Sequence, residues 1–460
     1  MSFDCSTSRH LRQLALLKTY GGRAPRYTSY PTAAQFTPQV DSETYAAWLG
    51  ALPADAGGSI YVHVPFCDRL CWYCGCNTRV VRRGESISGY VALVEAEMRM
   101  VAGHLAGVFT AREIHLGGGT PNILSPTDLG ALFGALRSAF RVDEGAEVSA
   151  EIDPSRLTPE WVRAAAANGL TRASLGVQDL SPSVQAAVNR LEPFEVVATA
   201  ATRLREAGVR SLNLDLMYGL PHQRTADVLS TLDTVLTLAP DRLALFGYAH
   251  VPWMKAHQKL IDERTLPGEA ERLDESEAAA ERLQAAGYVR IGLDHYALPT
   301  DELAKASARG ELRRNFQGYT TDQEEILLGL GVSAIGRLPQ GLAQNHSVEL
   351  AWRASVREGR LPTARGVAFT DDDQFRGDII EALMCRFKVD LADVRRKWRR
   401  SRESLAGAQT ALAELERDGV IERQDGRIAV TPVGRPFVRQ VCAAFDSYLA
   451  PGALRHSSAV

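Results

Sequence analysis

The sequence predicts an α/β protein built on an incomplete, three-quarter parallel βα barrel of about six units. An N-terminal arm precedes the barrel, and a mostly helical, winged-helix-like C-terminal domain follows it. Between residues 58 and 296, short apolar runs alternate with amphipathic stretches of helical period, which is the pattern of consecutive βαβ units. About six units are visible, fewer than the eight that close a barrel.

Size and composition limit the possible classes of protein. A chain of 460 residues is long enough for two or three domains, and we expect them at 1–55, 56–345 and 346–460. A net charge of −3 and a pI of about 6.4 give no electrostatic case for nucleic acid or an anionic membrane as partner. The sequence has no apolar run of membrane-spanning length and no signal-peptide pattern. Because most of the seven cysteines are clustered, we expect a cytoplasmic protein without a disulfide framework. Separately, we expect a monomer.

The N-terminal arm begins with a predicted helix at Ser8–Thr19, which ends at Gly21 and Gly22. The segment from Pro25 to Pro31 contains two prolines and several hydroxyl residues, so it is predicted to be extended. We expect this arm to lie over the main domain. The alternative is that Arg26 or one of the tyrosines faces a functional site.

The central region is predicted to alternate strands and helices. The strands are Ile60–Val64, Glu113–Leu116, Glu147–Ile152, Arg172–Val177, Ser211–Met217 and Arg242–Gly247, with a further edge strand at Tyr288–Asp294. The helices are Tyr90–Leu105, Thr127–Phe140, Pro159–Asn168, Phe194–Ala207, Ala226–Leu238 and Glu269–Ala286.

Four cysteines directly after the first strand form the strongest chemical signal. Cys67, Cys71 and Cys74 have the spacing C-x3-C-x2-C, and Cys76 follows. Thiolates are soft ligands that suit iron–sulfur clusters, zinc or copper(I). A structural zinc usually needs a second, distant ligand pair, and a redox C-x2-C pair leaves the other cysteines unexplained. The spacing therefore favours a 4Fe–4S cluster on three thiolates, with one iron open to a small molecule.

Polar residues follow several of the predicted strands. Gly117–Pro121 follows the second strand, and Glu151 and Asp153 follow the third. The fourth ends in Gly176–Asp179, and the fifth carries Asn213 and Asp215. Each such end alone is typical of a turn or a helix cap. Because parallel strands place their carboxyl ends at one edge, the set predicts a shared active-site face.

The C-terminal region is predicted to combine helices with a small hairpin. The helices are Asp371–Phe387, Leu405–Asp418 and Arg435–Leu449, and the hairpin joins Val420–Arg423 to Arg427–Val430 through Asp425 and Gly426. The basic run Arg395–Arg400 makes DNA binding an alternative, but a charged helix face is usually solvated. We expect this domain to cover the open side of the barrel, with Cys385 and Cys442 as buried small hydrophobes.

The loop that carries Cys67, Cys71 and Cys74, which we call the cluster loop, has Tyr73 directly before Cys74. It resembles the signature of the radical S-adenosylmethionine (SAM) superfamily. Further motifs resemble the oxygen-independent coproporphyrinogen III oxidase family nearly from end to end. They are Pro25–Pro31, Cys74-Gly-Cys76, Gly117–Pro121, Gly176–Asp179, Val188-Asn-Arg190 and Arg314–Thr321. Related haem-chaperone-like proteins typically lack the arm, the last cysteine and the Asn-Phe-Gln-Gly-Tyr segment, all of which this chain has.

The resemblance implies an enzyme that converts two propionate groups of coproporphyrinogen III to vinyl groups, giving protoporphyrinogen IX. It implies one 4Fe–4S cluster on Cys67, Cys71 and Cys74, two SAM molecules per chain, a one-electron donor and an electron acceptor. The 5′-deoxyadenosyl radical would remove the hydrogen, so no side chain is expected to act as a catalytic acid or base. An Asp153 general base is the competing idea. A cluster-containing haem-binding or haem-delivery protein is the alternative function.

Residue by residue, the resemblance also implies two SAM sites. The SAM bound to the cluster would contact Tyr61, Gly118, Glu151 and Ile335. The second SAM would contact Tyr73, Gly119, Thr120, Gln178, Arg190, Asp215 and Ala249. The role of Cys76 stays open. Because the expected substrate carries four carboxylates, Arg26, Arg313 and Arg314 are candidates to bind them.

Overall fold

The computed structural model describes residues 2–81 and 87–449, with side chains from Ser8 onward. The helices are α1 (Ser2–Tyr20), α2 (Ser42–Gly50), α3 (Ile87–His104), α4 (Pro126–Ala139), α5 (Pro159–Ala167), α6 (Pro182–Ala187), α7 (Phe194–Glu206), α8 (Thr225–Leu236), α9 (Glu269–Ala285), α10 (Glu302–Arg309), α11 (Glu349–Arg357), α12 (Asp371–Arg386), α13 (Leu391–Lys397), α14 (Gln409–Arg417) and α15 (Val438–Ala443).

The strands are β1 (Gly57–Val64), β2 (Phe66–Cys67), β3 (Arg79–Val80), β4 (Thr110–Gly118), β5 (Arg141–Ile152), β6 (Leu170–Gln178), β7 (Ser211–Tyr218), β8 (Arg242–Gly247), β9 (Val289–Ile291), β10 (His295–Ala297), β11 (Arg313–Asn315), β12 (Gly318–Thr320), β13 (Leu327–Leu330), β14 (Ile335–Leu338), β15 (Gly341–Asn345), β16 (Thr363–Ala368), β17 (Lys388–Asp390), β18 (Ile421–Gln424) and β19 (Arg427–Val430).

One large sheet carries the architecture, in the order β16-β15-β14-β13-β1-β4-β5-β6-β7-β8-β10-β9. The six predicted strands, β1 and β4 to β8, lie side by side in chain order and are all parallel. This confirms the predicted α/β fold with a parallel core. The sheet does not close, since its order ends at β16 and at β9.

Both edges of the parallel core differ from the simple prediction. Strand β13 pairs parallel to β1, and β14 to β16 continue antiparallel from it. At the other edge, β10 pairs antiparallel with β8 and β9 pairs with β10. The single strand expected at Tyr288–Asp294 is therefore wrong in extent, because the chain turns back at Gly292, where φ is +56°.

The two faces of the parallel strands have opposite chemistry. Along β1, Ile60, Val62 and Val64 join the main hydrophobic core, whereas Tyr61 and His63 line a central cavity. This follows from the two-residue period of a strand, which sends alternate side chains to opposite faces. The outer face is buried under helices, and the inner face is free to carry polar groups.

The N-terminal arm packs mainly on the C-terminal part of the chain. Leu17, Tyr20, Tyr27 and Tyr30 share a second core with residues of α12 and α15. The Tyr27 hydroxyl donates to Asp446 Oδ2 at 3.0 Å. The arm was expected to lie over the main domain. The arm and the C-terminal region pack together, and both contribute residues to the lining of the central cavity.

Helix α11 and strand β16 lie beyond the expected boundary at residue 346. Strand β16 pairs with β15, so the large sheet continues to Ala368. Helix α11 packs on α3, and its Trp352 is buried in the main core. We therefore propose that the C-terminal domain begins near residue 369.

The C-terminal region combines helices α12 to α15 with a small sheet of order β17-β19-β18. The predicted hairpin is β18–β19, with left-handed Asp425 (φ +51°) and Gly426 (φ +84°) at its turn. The last predicted helix is wrong in extent, because α15 ends at Ala443. Across the described residues, the structure has no helix with the length and apolarity needed to span a membrane.

The basic run at Arg395–Arg400 pairs with nearby groups. Arg396 lies 2.7 Å from Asp393, Lys397 lies 2.7 Å from Asp378, and Arg400 lies over the ring of Phe375. These contacts agree with a solvated helix face and give DNA binding no support.

Candidate active site

A cavity of about 680 Å³ opens at the carboxyl ends of the parallel strands. It lies where α/β proteins bind their ligands, because strand ends and the loops after them point to one side. Among the predicted site residues, the cavity is lined by Tyr61, Gly118, Glu151, Asp215, Ala249 and Ile335. Of the polar strand ends, Gly118, Glu151, Asn213 and Asp215 therefore share one face, whereas Asp153 and Gln178 are not among the residues that line the cavity.

The cluster loop, residues 65–78, follows β1 and carries four cysteines. Hydroxyl groups of Thr78 and Thr120 lie 3.0 and 3.4 Å from Cys67 Sγ. Arg190 Nη1 lies 3.7 Å from Cys71 Sγ. The backbone N–H of Cys76 donates to Cys74 Sγ at 3.4 Å. Each of the three spaced sulfurs thus has a hydrogen-bond donor beside it, as iron-bound thiolates require for their negative charge.

Electrostatics separates the fourth cysteine of the loop from the third. A hydrogen bond from the Cys76 thiol, with help from nearby Lys255 and Arg190, lowers the pKa of Cys74 to about 7. The same hydrogen bond raises the pKa of Cys76, which is exposed. Cys74 is therefore the better thiolate of the two.

The three cysteine sulfurs fit the ligands of a 4Fe–4S cluster. Within residues 2–81 and 87–449, no three His, Cys, Asp or Glu side chains converge on the position of a single metal ion. Thiolates of a cluster bind separate iron atoms, so they need not meet at one point. Cys67, Cys71 and Cys74 lie on one loop with donors at all three sulfurs, which is the arrangement such a cluster needs.

A segment after β8 holds the cluster loop through backbone carbonyl groups. Gln258 Nε2 donates to the carbonyl oxygen of Tyr73 at 3.0 Å, and Lys255 Nζ donates to that of Cys76 at 2.9 Å. His257 Nε2 lies 2.8 Å from the Cys74 carbonyl oxygen. Sequence reasoning missed these residues, because nothing in their local pattern relates them to a loop about 180 positions earlier.

The glycines after β4 are required by close packing. Gly118 has φ +117°, and a Cβ atom there would lie 2.6 Å from the His63 ring. A Cβ atom on Gly119 would lie 2.6 Å from the Phe66 carbonyl oxygen and from Thr78 Oγ1. Any larger residue would push this turn away from the cluster loop.

Glu151 is held as a carboxylate at the edge of the cavity. Its Oε2 accepts from the Gly118 N–H at 2.9 Å, and its Oε1 lies 3.6 Å from His115 Nε2. Although burial raises the pKa of Glu151, His115 and this N–H outweigh it and keep the pKa below its ordinary value. The side chain can therefore accept hydrogen bonds from a cationic ligand group.

Tyr61 and His63 form a chain next to Glu151. His63 Nε2 lies 2.8 Å from the carbonyl oxygen of Asn77, and His63 Nδ1 lies 2.9 Å from the Tyr61 hydroxyl. Because a carbonyl oxygen only accepts, Nε2 carries the proton and Nδ1 accepts from Tyr61. The tyrosine side chain is fixed at the cavity wall by this chain.

Asp215 sits on β7 with neighbouring polar groups. It accepts from Ser174 Oγ at 2.6 Å and from Asn213 Nδ2 at 2.8 Å. Burial raises the pKa of Asp215 above its ordinary value. Its acceptor oxygens suit ribose hydroxyl groups, which donate without needing a full negative charge.

Arg190 lies beside the cluster loop in an ion-pair network, outside the lining of the cavity. Its Nη2 lies 2.9 Å from Glu192 and 2.5 Å from the Gly176 carbonyl oxygen. Arg69 lies 3.3 Å from Asp153 and 3.4 Å from Glu192. The Asp153 carboxylate is occupied here and its pKa is lowered, chiefly by Arg190 against the effect of burial, so the structure does not support an Asp153 general base.

The other predicted SAM residues surround this network or the cluster loop. Thr120 contacts Cys67, and Gly119 packs on Phe66. Gln178, with φ +69°, ends β6 next to Gly176. Like Arg190, the residues Tyr73, Gly119, Thr120 and Gln178 are not among those that line the cavity.

The three arginine candidates separate into two groups. Arg26 and Arg314 line the cavity. Arg313, the alternative to Arg314 as a carboxylate-binding candidate, is not among the residues that line the cavity. Adjacent residues of a strand point to opposite faces, so Arg313 points away and pairs with Glu381 at 2.9 Å.

Comparisons with known proteins agree with this geometry. A model of the radical SAM superfamily matches residues 61–235, and a model of the HemN C-terminal domain matches residues 369–437. An oxygen-independent coproporphyrinogen III oxidase of Bradyrhizobium diazoefficiens is 48% identical, over 97% of this chain and 99% of its own. An enzyme of the same name from Paracoccus denitrificans is 43% identical, and the match covers 97% of this chain and 99% of the other.

A solved structure extends the similarity to the whole fold. It is described as coproporphyrinogen III oxidase (HemN) from Escherichia coli, a radical SAM enzyme. It has a TM-score of 0.89 and 38% identity, covering 95% of this chain and 99% of the other. With its cluster loop, parallel sheet and C-terminal domain, this chain belongs to the oxygen-independent coproporphyrinogen III oxidase family of radical SAM enzymes.

Proposed function

We propose that this enzyme decarboxylates two propionate side chains of coproporphyrinogen III to vinyl groups, giving protoporphyrinogen IX. The observation that carries the proposal is the cavity itself. It places Tyr61, Gly118 and Glu151, which lie next to the cluster loop, in one enclosure with arginine side chains suited to a polycarboxylate. The alternative, a haem-delivery protein, has no observation of its own in its favour.

Three cysteines would hold the cluster, and two groups of residues would hold two SAM molecules. When bound, and with one electron from a donor, the cluster and SAM would supply a radical able to remove one hydrogen atom from a propionate side chain, and the vinyl group would form with loss of carbon dioxide and transfer of one electron to an acceptor. Cys67, Cys71 and Cys74 would be the iron ligands. Their neighbouring donors, Thr120 and Arg190 among them, offset the negative charge of the thiolates.

For the first SAM, the ionised Glu151 would accept hydrogen bonds from the amino group. The rest of the wall around this SAM would be formed by Tyr61, Gly118 and Ile335. The hydrogen bond to His63 fixes the Tyr61 side chain. A charged acceptor next to an ammonium group forms a strong hydrogen bond and orients the molecule.

For the second SAM, Asp215 and Ala249 would act from the cavity side. Tyr73, Gly119, Thr120, Gln178 and Arg190 would act from the side of the cluster loop. Arg190 would have to exchange part of its ion pairing with Glu192 for a SAM carboxylate. The count of two SAM molecules per chain is part of the proposal.

The protein side chains would orient the propionate and exclude water, and no acid or base from the chain is needed. We further propose that the enzyme is a cytoplasmic monomer, which takes electrons from a one-electron donor. The enclosed cavity between the strand ends, the arm and the C-terminal region would keep water away from the reacting carbon.

Anaerobic reconstitution with iron and sulfide, followed by incubation with SAM, a reductant and coproporphyrinogen III, tests the proposal. Mass spectrometry should detect a product that has lost two carboxyl groups, together with 5′-deoxyadenosine. Stoichiometric haem binding without any substrate turnover would instead support the haem-delivery alternative. Electron paramagnetic resonance of the reduced protein distinguishes a 4Fe–4S cluster from zinc.

A further inference from the structure

Four arginines from separate parts of the chain line the outer part of the cavity. Arg26 belongs to the N-terminal arm, Arg272 to α9, Arg314 to β11 and Arg439 to α15. Of the acidic residues that line the cavity in the described part of the chain, Asp294 is the one near this group, whereas Glu151 and Asp215 lie at strand ends. Two of these arginines, Arg26 and Arg314, thus have the single carboxylate of Asp294 as their acidic neighbour in the cavity lining.

The cavity contains other arginines, but these are neutralised in place. Arg172 lies 2.7 Å from Glu147. Arg242 lies 2.7 Å from Asp301, and Arg290 lies 3.0 Å from Glu277. Each of these three arginines forms an ion pair with a carboxylate of the protein, so its charge is compensated without a ligand. Arg26 and Arg314 differ from them in this respect.

Arg314 is buried with part of its guanidinium group unsatisfied. Its Nε and Nη1 atoms have no hydrogen-bond partner, and Nη1 lies 4.0 Å from Asp294 Oδ1. The guanidinium lies over the Tyr319 ring at 4.3 Å, which fixes its plane. Because a buried donor without a partner is costly, this arrangement is suited to a ligand that accepts two hydrogen bonds.

Arg26 lies beside the same part of the cavity. Its Nη2 donates to the Gly247 carbonyl oxygen at 3.3 Å, and within the described residues no carboxylate lies at ion-pair distance. The Arg26 side chain is exposed and lines the cavity. The partners of Arg26 and Arg314 are neighbours, because Gly247 lies two residues after Leu245, whose N–H donates to the Asp294 carbonyl oxygen at 2.7 Å. Arg26 and Arg314 therefore approach the same edge of the cavity.

Arg439 positions the arm that carries Arg26. Its Nε donates to the carbonyl oxygen of Pro25 at 2.9 Å, and its Nη2 donates to that of Ala24. The C-terminal helix and the N-terminal arm are thereby joined at the residue before Arg26. Both ends of the chain contribute to one charged surface of the cavity.

We propose that Arg26 and Arg314 together bind a propionate carboxylate of the substrate, with Arg439 as the residue that positions Arg26. This assignment rests on the proposed function, because it names the part of the cavity that recognises the carboxylates of the porphyrinogen. Substrate specificity then depends on the arm and on β11, outside the parallel strands.

Coproporphyrin III is the oxidised form of coproporphyrinogen III; it keeps the four carboxylates but does not react. Its binding to the protein, followed by quenching of the porphyrin fluorescence, tests the site. Its tetramethyl ester, which has no carboxylate, is the comparison probe. The variants are Arg26→Gln and Arg314→Gln, and Arg313→Gln is the matched control, since its side chain pairs with Glu381 outside the cavity.

The wild type and R313Q should bind the acid at least about tenfold more tightly than the ester, since a charge-assisted pair contributes about 1.5–3 kcal/mol. R26Q and R314Q should lose most of this preference and raise KM more than they lower kcat. The proposal is overturned if both folded variants keep the preference. If R314Q does not fold, as judged by circular dichroism, R26Q decides alone, because Arg26 is accessible from the cavity.

This experiment separates the two proposals. If the wild type prefers the acid and the variants do not, but no decarboxylation occurs, the carboxylate site stands and the proposed reaction fails. If decarboxylation occurs and R26Q and R314Q both behave like the wild type, the reaction stands and the assignment of these arginines fails.

Discussion

The backbone N–H of Gly118 donates a hydrogen bond to Glu151 Oε2 over 2.9 Å, and this contact joins the ends of β4 and β5. Gly118 itself has φ +117°, and a Cβ atom at this position would lie 2.6 Å from the His63 ring, so the turn requires glycine. The same contact helps to keep Glu151 ionised at the cavity wall. The glycine turn at Gly118 and the polar end of β5 at Glu151 are thus joined into one part of the cavity wall.

The substitution Glu151→Gln should weaken SAM binding. The amide keeps the shape of the side chain but lacks the charge that would attract the SAM amino group. A charged hydrogen bond of about 2 kcal/mol corresponds to roughly a 30-fold higher Kd. Equilibrium dialysis with labelled SAM measures the change. The exposed Glu160→Gln is the control, and iron content should be unchanged in both. Equal SAM affinity in E151Q and the wild type would contradict this role of Glu151.

Cys74 and Cys76 should differ in their effect on the cluster. The variant Cys74→Ser should lose most of its iron, because Cys74 is the sulfur stabilised by neighbouring donors. Cys76→Ser should keep iron near the wild-type amount, because Cys76 is exposed and lies outside the proposed ligand set of Cys67, Cys71 and Cys74. Iron and sulfide analysis after anaerobic reconstitution measures both. Loss of the cluster in C76S with retention in C74S would reverse the assignment.

Gln258 should control how firmly the cluster loop is held. Its side chain accepts from the Val251 N–H at 2.6 Å and donates to Tyr73 and Ala249 carbonyl oxygens. Removing these bonds in Gln258→Ala should cost about 2–3 kcal/mol locally and speed iron release to a chelator by about tenfold or more. Lys259→Ala, at the exposed neighbouring position, is the matched control. Equal release rates in the two variants would show that this contact does not hold the loop.

Glu97 should give the fold a pH dependence. It is buried, accepts hydrogen bonds from Gly331, Asn345 and Trp352, and burial raises its pKa to about 7. In the unfolded chain its pKa is near 4.3. Between these values the folded state binds more protons, so the stability contributed by Glu97 is fully present at low pH and is lost as pH rises to about 7.

The comparison of wild type with Glu97→Gln measures this effect, because glutamine does not titrate. The advantage of the wild type over E97Q in thermal midpoint should be larger at pH 5 than at pH 8. The difference corresponds to about 1–3 kcal/mol, at 1.36 kcal/mol for each unit of pKa shift. Glu95→Gln, at a partly exposed position of the same helix, controls for the substitution itself. A constant difference between wild type and E97Q would contradict a raised pKa at Glu97.

Local patterns were enough to predict the parallel core and part of the site. Each of the six predicted strands is present, because short apolar runs between helices have few other stable arrangements. The edges were harder, since β13 and β10 are short and pair with strands far away in the chain. The choice between Arg313 and Arg314 stayed open, because the sequence does not reveal to which face of a two-strand ribbon each of two neighbouring residues points.

The sequence by itself determined the identity of the cluster loop, since the spacing of Cys67, Cys71 and Cys74 is a local property. It also determined the alternation of strands and helices and the glycine turn at Gly118. The tertiary structure alone decided that Gln258 holds the cluster loop and that Arg26 and Arg314 share one cavity with Glu151. These relationships join segments separated by well over a hundred residues. They arise from how the arm and the C-terminal domain pack on the sheet, and no local pattern in a sequence encodes such packing.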